Sequence, residues 1–257
     1  TTTAPSKPVK PVPKPALTLK QLLQTTVTLT GKWVEADLLM DDKGTWHCSG
    51  VVQRAEGGRL WIVTNSHCTG LRKLMASEPV SAPDVKRWSI RVHTHNGRTA
   101  RIEEVSVAKS LDIAIMQTAL VQWVAGRDYR VAPPSSEVEL GQEVVAIGSP
   151  VNTKYAGTIT FGKVSAKRQQ YIQHDAALNP GNSGGPLYVK AKGDYHLAGI
   201  NTFRIRNRAL FGPRIEGLNF AISIRELSNV TYRGAPGNPT GACRLIRGVY
   251  GGSCNVD

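Results

Sequence analysis

The segment 181–186 reads GNSGGP, so Ser183 stands alone among glycines and just ahead of a proline. A serine that attacks a carbonyl carbon needs a tight turn behind it, with amide hydrogens directed at the oxygen that becomes negative. Glycine permits such a turn because it has no Cβ atom. The segment therefore favours a nucleophilic serine, although glycine and serine also cluster in ordinary turns.

A nucleophilic serine requires a base, and the base requires a group that fixes its tautomer. Of the six histidines, His67 closes the run LWIVTNSH at 60–67, which predicts a strand that leads into a turn. Asp112 interrupts the apolar run LDIAIM at 111–116, where a carboxylate is costly to bury unless it accepts a hydrogen bond. A structural histidine and a charge at a strand edge are the alternatives. The order His67, Asp112, Ser183 is that of chymotrypsin, not that of subtilisin or the α/β-hydrolases.

The chain resembles a trypsin-like serine protease, and in particular the HtrA (Deg) branch. The matching motifs occur in order and cover roughly residues 45 to 225: TNSH at 64–67, NGR at 96–98, LDIA at 111–114, LGQEVVAIGSP at 140–150, GTITFGKVS at 157–165, DAALNP at 175–180, the serine motif, and LNFAI at 218–222. The resemblance implies an all-β fold of two six-stranded Greek-key β-barrels, with the active site in the cleft between them. Short β-branched runs separated by turn residues favour the same architecture.

The family pattern also implies a role for each residue of the triad. Ser183 would attack the scissile carbonyl, His67 would transfer the proton, and Asp112 would orient the imidazole and support its charge electrostatically. The backbone amides of Gly181 and Ser183 would form the oxyanion hole. No cofactor is expected for this chemistry.

The resemblance places Ala177, six residues before the serine, on the floor of the specificity pocket. An alanine carries no charge, so we expect a small or medium apolar side chain at P1. The strand GINTF at 199–203 is expected to line the groove and to pair with an extended substrate through Thr202 and Phe203. Asn219 would add a polar group to the pocket.

Four cysteines form two candidate pairs. The placement of Cys48 and Cys68 resembles the disulfide that ties the histidine loop to a neighbouring strand in secreted trypsin-like enzymes, although typical HtrA proteins lack it. Cys243 and Cys254 would close a second short loop. Four reduced thiols or a metal site are the alternatives, but neither pair has the Cys-x-x-Cys spacing of common metal sites, and we expect no metal. The cysteines therefore favour an oxidising compartment, either the periplasm or the extracellular space.

Composition divides the chain into four parts. Residues 1–17 are rich in proline and lysine, cannot bury a core, and are expected to be a disordered tail or, alternatively, an extended spacer. We expect the N-terminal barrel at 18–126, the C-terminal barrel at 127–228 and a C-terminal extension with a disulfide loop at 229–257. The first residue is a threonine and no signal segment is recognised, so we expect a mature chain whose targeting peptide has been removed. No PDZ domain and no apolar run long enough for a membrane span is recognised in the sequence either.

The formal net charge is +13, from 32 basic and 19 acidic residues. Arginines at 204, 206, 208 and 214 follow the predicted groove strand, where they could steer unfolded or acidic substrates; a solvated loop is the alternative. No nucleic-acid-binding motif is present, and we expect no nucleic acid partner. Asn182 stands where digestive enzymes have an aspartate that pairs with a new N-terminus, so we expect any activation to proceed through ordering of loops.

These features together predict a serine endopeptidase that acts on protein or peptide substrates. One alternative is a catalytically silent protease fold that binds peptides. A processing enzyme with a single target would use the same residues.

Overall fold

The structure is a computed structural model that describes residues 15–35, 42–70, 89–124, 129–135, 137–204, 218–235, 240–251 and 253–256. Most of the predicted Pro/Lys-rich tail and the arginines at 206, 208 and 214 lie outside the described residues.

Six antiparallel strands form the first barrel. They are β1 (Thr26–Glu35), β2 (Asp42–Glu56), β3 (Arg59–Thr64), β4 (Ser89–Thr94), β5 (Thr99–Ala108) and β6 (Ala114–Thr118). Neighbouring strands follow the order β5-β4-β1-β2-β3-β6, and a further pairing of β5 with β6 closes the barrel. Side chains alternate between the two faces of each strand, so in β4 Ile90 and Val92 are buried while Ser89 and Arg91 are exposed.

The second barrel repeats this arrangement. Its strands are β7 (Glu143–Gly148), β8 (Thr158–Arg168), β9 (Tyr171–His174), β10 (Pro186–Ala191), β11 (Asp194–Arg204) and β12 (Asn219–Ser223). They form a closed barrel in the order β10-β11-β12-β9-β8-β7. In both barrels the third strand pairs with the sixth, which is a Greek-key connection. The predicted fold of two six-stranded β-barrels is therefore confirmed.

The residues before the first barrel pack against the second. Helix α1 (Leu19–Thr25) begins with a capping box between Thr18 and Gln21, and its Leu22 is buried in the core between the barrels. Leu17, the last residue of the predicted tail, is also buried, and its N–H donates to Asp194 Oδ1 at 2.7 Å.

The residues after the second barrel return to the first. A 3₁₀ turn at Ile224–Ser228 leads into β13 (Thr231–Ala235), which pairs antiparallel with β5. Helix α2 (Thr240–Leu245), a π-helical turn at Ile246–Tyr250 and β14 (Asn255–Val256) follow, and β14 pairs with β13. A disulfide joins Cys243 to Cys254 within this segment, and another joins Cys48 to Cys68 in the first barrel. Among the described residues, no helix has both the length and the apolar character that crossing a membrane requires.

Candidate active site

The carboxylate of Asp112 lies where the two barrels meet and accepts four hydrogen bonds. Its Oδ2 accepts from His67 Nδ1 at 2.7 Å and from Thr202 Oγ1 at 2.7 Å. Its Oδ1 accepts from Ser66 Oγ at 2.7 Å and from the backbone N–H of His67 at 3.0 Å. Burial raises the pKa of Asp112, but the hydrogen bonds from His67 and Ser66 outweigh burial and hold this pKa below its usual value. An ionised carboxylate only accepts, so Nδ1 of His67 carries a proton and donates it in a hydrogen bond to Asp112.

The position of His67 follows from the way β3 ends. The strand stops at Thr64, and a 3₁₀ turn at Ser66–Thr69 carries the histidine out of the first barrel. Asn65 fixes this turn, since its Nδ2 donates to the backbone carbonyl of Asp112 at 2.8 Å. The side chain of His67 is 40% exposed, so the imidazole can be reached by a ligand in the cleft.

The disulfide between Cys48 and Cys68 lies directly behind His67. One ring nitrogen of His67 and the two sulfur atoms lie within 4.8 Å of one another. The sulfurs are bonded to each other, so neither is a thiolate ligand. The bond instead ties the histidine turn to β2.

The turn that carries Ser183 belongs to the second barrel but is held by the first. The backbone N–H of Ser49, on β2, donates to the Ser183 carbonyl at 2.8 Å, and Ser49 Oγ donates to the Gly181 carbonyl at 2.8 Å. Gly181 and Gly184 have φ angles of 98° and 81°, a region that other residues avoid. A Cβ atom at Gly184 would also collide with the Thr64 hydroxyl, so the glycines of the motif are needed for this close approach.

Two amides of the turn remain available to a ligand. Among the described residues, the N–H groups of Gly181 and Ser183 donate to no protein acceptor, whereas the intervening N–H of Asn182 donates to the Asn179 carbonyl at 3.0 Å. A pair of unpaired amides beside a serine is what binding an oxyanion requires.

The hydroxyl of Ser183 does not bond to His67 in this structure. It donates to the backbone carbonyl of Thr202 at 3.1 Å, and no hydrogen bond joins Ser183 Oγ to His67 Nε2. Thr202 thus contacts Asp112 through its hydroxyl and Ser183 through its carbonyl. Asp112 and Thr202 therefore link the three predicted residues at one site, although the bond from the serine to the histidine is not formed. Such bonds are often absent before substrate binds.

The residues predicted to form the specificity pocket lie in β11, β12 and the segment before the serine. Ala177 is exposed, and its carbonyl accepts from Thr160 Oγ1 at 3.0 Å. Asn219 is buried, and its Nδ2 donates to the Ala176 carbonyl at 3.0 Å, so the amide hydrogen-bonds within the protein. The backbone of Phe203 belongs to β11, while its side chain lies outside the described residues.

A buried histidine lies close to this pocket. His174, the last residue of β9, is opposite Asn219 on β12 and is fully buried. Burial lowers the pKa of His174 to about 4, and among the described residues neither ring nitrogen has a hydrogen-bond partner. Oδ1 of Asn201 is likewise buried without a hydrogen-bond partner among the described residues. His174 is therefore neutral at pH 7.

The sequence did not predict the contacts of three side chains that hold the site, although it had placed one of them, Thr202, in the groove strand. Ser66 and the hydroxyl of Thr202 bind Asp112, and Ser49 anchors the serine turn. Ser66 directly precedes His67, so its position in the motif was an available signal. The contacts of Ser49 and Thr202 cross between the barrels and had no local signal.

Residues 48–196 match the sequence model of the family called the trypsin-like peptidase domain. The chain belongs to the trypsin-like peptidase family. The serine protease Do-like HtrA of Lactobacillus helveticus is 32% identical over 192 residues, which are 71% of this peptidase chain and 41% of that protein. The serine protease PepD of Mycobacterium tuberculosis is 32% identical over 169 residues, 60% of this chain and 33% of that protein. This trypsin-like peptidase chain thus spans less than half the length of either relative.

Solved structures of HtrA-type proteases share the fold. The HtrA-type protease AlgW, determined with a decapeptide, superimposes with a TM-score of 0.56 at 24% identity, covering 81% of this chain and 65% of that one. The serine endoprotease from Yersinia pestis gives a TM-score of 0.54 at 24% identity, covering 83% of this chain and 64% of that one.

Proposed function

We propose that this chain is a serine endopeptidase that hydrolyses peptide bonds through Ser183, His67 and Asp112. The observation that carries the proposal is the position of Thr202, which binds the carboxylate of Asp112 and the hydroxyl of Ser183 at the same time. One residue thus contacts both the candidate nucleophile and the carboxylate that accepts from His67 Nδ1, which supports a shared site. Membership of a peptidase family supports the same chemistry.

In the proposed reaction, Ser183 Oγ forms a bond to the scissile carbonyl carbon while its proton passes to His67 Nε2. The carbonyl oxygen becomes negative and accepts hydrogen bonds from the amides of Gly181 and Ser183. His67 then gives the proton to the leaving amine as the carbon–nitrogen bond breaks. Water, activated by the same histidine, hydrolyses the acyl-enzyme. Asp112 accepts from Nδ1 throughout and supports the imidazolium charge.

We propose a preference for small or medium apolar P1 side chains. Ala177 brings no charge to the pocket, and the NH₂ group of Asn219 already donates to a protein carbonyl. His174, opposite Asn219 on the neighbouring strand, is neutral at pH 7, because burial lowers its pKa to about 4. We also propose an oxidising location, the periplasm or the extracellular space, because both cysteine pairs are joined as disulfides.

The main competing function is a peptide-binding scaffold without catalysis. Labelling with a fluorophosphonate probe separates the two, with Ser183→Ala as the test variant and Ser165→Ala, at an exposed serine on β8, as the matched control. We expect labelling and casein digestion in the wild type and in Ser165→Ala, and neither in a folded Ser183→Ala. Peptides with valine or leucine at P1 should be cleaved faster than peptides with arginine. Proteolysis retained by Ser183→Ala would refute the mechanism, and no labelling of the folded wild type would favour the scaffold.

A further inference from the structure

Four residues stand side by side on the outer face of the first barrel and form what we call the basic row. They are His47 on β2, Thr30 on β1, Arg91 on β4 and Arg101 on β5. Thr30 is directly opposite both His47 and Arg91, and Arg91 is directly opposite Arg101. Neighbouring strands lie about 4.8 Å apart, so the row extends for about 14 Å. It faces outward because the residues that alternate with it belong to the barrel core: Leu29, Cys48, Val92 and Ala100.

The inner end of the basic row touches the candidate oxyanion hole. A Cβ atom placed on Gly181 would lie 2.5 Å from His47 Nε2, so the imidazole packs against this glycine. Within the described part of the chain, His47 Nε2 is buried without a hydrogen-bond partner. The row therefore begins at the serine turn and leads away from it.

The outer end of the row carries the positive charges of Arg91 and Arg101. Arg91 and Arg101 are both exposed, and like charges directly opposite each other destabilise a sheet. Among the described residues, neither guanidinium forms a salt bridge. Glu103 lies two residues beyond Arg101 on the same face, but its carboxylate pairs with Arg59. Lys32, two residues from Thr30 on β1, is exposed and adds a third cation.

The position of the row indicates which part of a substrate it would contact, before or after the scissile bond. Under the proposed function, β11 pairs with the residues before that bond, and Thr202 of β11 touches Ser183. Gly181 and His47 lie at the other end of the serine turn. A substrate that runs along β11 and across Ser183 therefore leaves over His47, with the residues after the scissile bond.

We infer that the basic row binds acidic side chains of the substrate on the C-terminal side of the scissile bond. The inference rests on the proposed function. Arg91 lies two strand spacings from His47, about 10 Å, and Arg101 lies three, about 14 Å. An extended peptide advances about 3.3 Å per residue, so these distances correspond to roughly three to four residues. Acidic residues between about P3′ and P6′ would meet the two guanidinium groups, whose planar forks suit carboxylates.

The test compares the wild type with Arg91→Gln/Arg101→Gln. The matched control is Arg225→Gln/Arg247→Gln, which removes two exposed arginines from segments that pair with no strand of the row. Three peptides share one scissile bond: one has glutamates at P3′–P6′, one has the same glutamates before the bond, and one has glutamines throughout. The kcat/KM values are measured at low and high salt, below and above the ionic strength of about 0.1 M at which screening acts over ~10 Å.

At low salt we expect the wild type and the control to cleave the peptide with C-terminal glutamates about two- to thirtyfold faster than the glutamine peptide, from two exposed ion pairs. The Arg91→Gln/Arg101→Gln variant should lose this preference and cleave the glutamine peptide normally. The inference would be overturned if the wild type cleaved these two peptides at equal rates, or if the variant kept the preference. It would also be overturned if glutamates before the scissile bond raised the rate equally. If the wild type cleaves no peptide, the proposed function fails. Fluorescence anisotropy of labelled peptides then tests whether the basic row binds glutamates. Binding that requires both arginines supports the inference, and equal binding by the variant overturns it.

Discussion

Replacing Thr202 by valine would remove one hydroxyl from the candidate site and leave its shape and backbone unchanged. That hydroxyl donates to Asp112 Oδ2 at 2.7 Å, while the Thr202 carbonyl, which accepts from Ser183, is retained in the variant. Asp112 would keep three of its four hydrogen bonds, and on Oδ2 only the bond from His67 would remain. The substitution therefore tests whether holding the carboxylate contributes to turnover.

The size of the effect follows from the surroundings of this hydrogen bond. A bond to a charged group is worth about 1.5–3 kcal/mol when water cannot replace it. Thr202 is only 7% exposed, but the side chain of Asp112 is 28% exposed, so water can replace part of the loss. Only the part of this energy that is gained in the transition state affects kcat, so we expect a cost of at most about 1.5 kcal/mol, a fall of up to roughly tenfold in kcat. KM should change little, because Asp112 acts on the imidazolium that forms during the reaction.

The assay is peptide hydrolysis resolved into kcat and KM, together with the rate of fluorophosphonate labelling and a thermal melt. Thr202→Ser is the matched control, since it retains the hydroxyl and should keep most of the activity. Valine and serine variants with equal kcat would refute the reasoning. A higher KM with unchanged kcat would instead assign the Thr202 side chain to substrate binding.

Two further predictions concern stability. The pKa of His174 is lowered to about 4 by burial, so as pH falls below about 6.5 the unfolded chain takes up this proton first, and stability is lost progressively down to about pH 4. His174→Gln should remove this part of the acid sensitivity, up to about 3 kcal/mol between pH 7 and pH 4 in urea titrations; identical pH dependence in both proteins would contradict it. Cys243→Ser/Cys254→Ser opens a loop with a sequence separation of 11, and chain entropy predicts a loss of about 3 kcal/mol in the free energy of unfolding. An unchanged urea midpoint would show that packing alone holds this segment.

The strands and the order of the candidate triad were predictable because their signals are local. The run at 144–147 is short, apolar and β-branched, and it forms the centre of β7. His67 and Asp112 each end or interrupt such a run, so their types and positions were visible without any knowledge of contacts. The glycines around Ser183 likewise follow from the backbone that the turn requires.

Contacts between distant segments could not be predicted in this way. The segment 231–235, TYRGA, gives a weak strand signal, and its partner β5 lies more than a hundred residues earlier. The hydroxyls of Ser49 and Thr202 contact the other barrel, and no local sequence signal predicts these contacts, although Thr202 was expected in the groove strand. The basic row depends on the register of four strands, so its members are scattered through the sequence.

Each segment that flanks the two barrels packs against the barrel that is farther from it in the sequence. The N–H of Leu17 donates to Asp194, and the hydroxyl of Thr25 lies 3.4 Å from that of Tyr188. The residues before the first barrel therefore bind to the second barrel. After the second barrel, β13 extends the sheet of the first barrel. If the chain were cleaved between β6 and β7, each fragment would still contact the barrel of the other one. We therefore expect the two fragments to remain associated, as those of a split enzyme do.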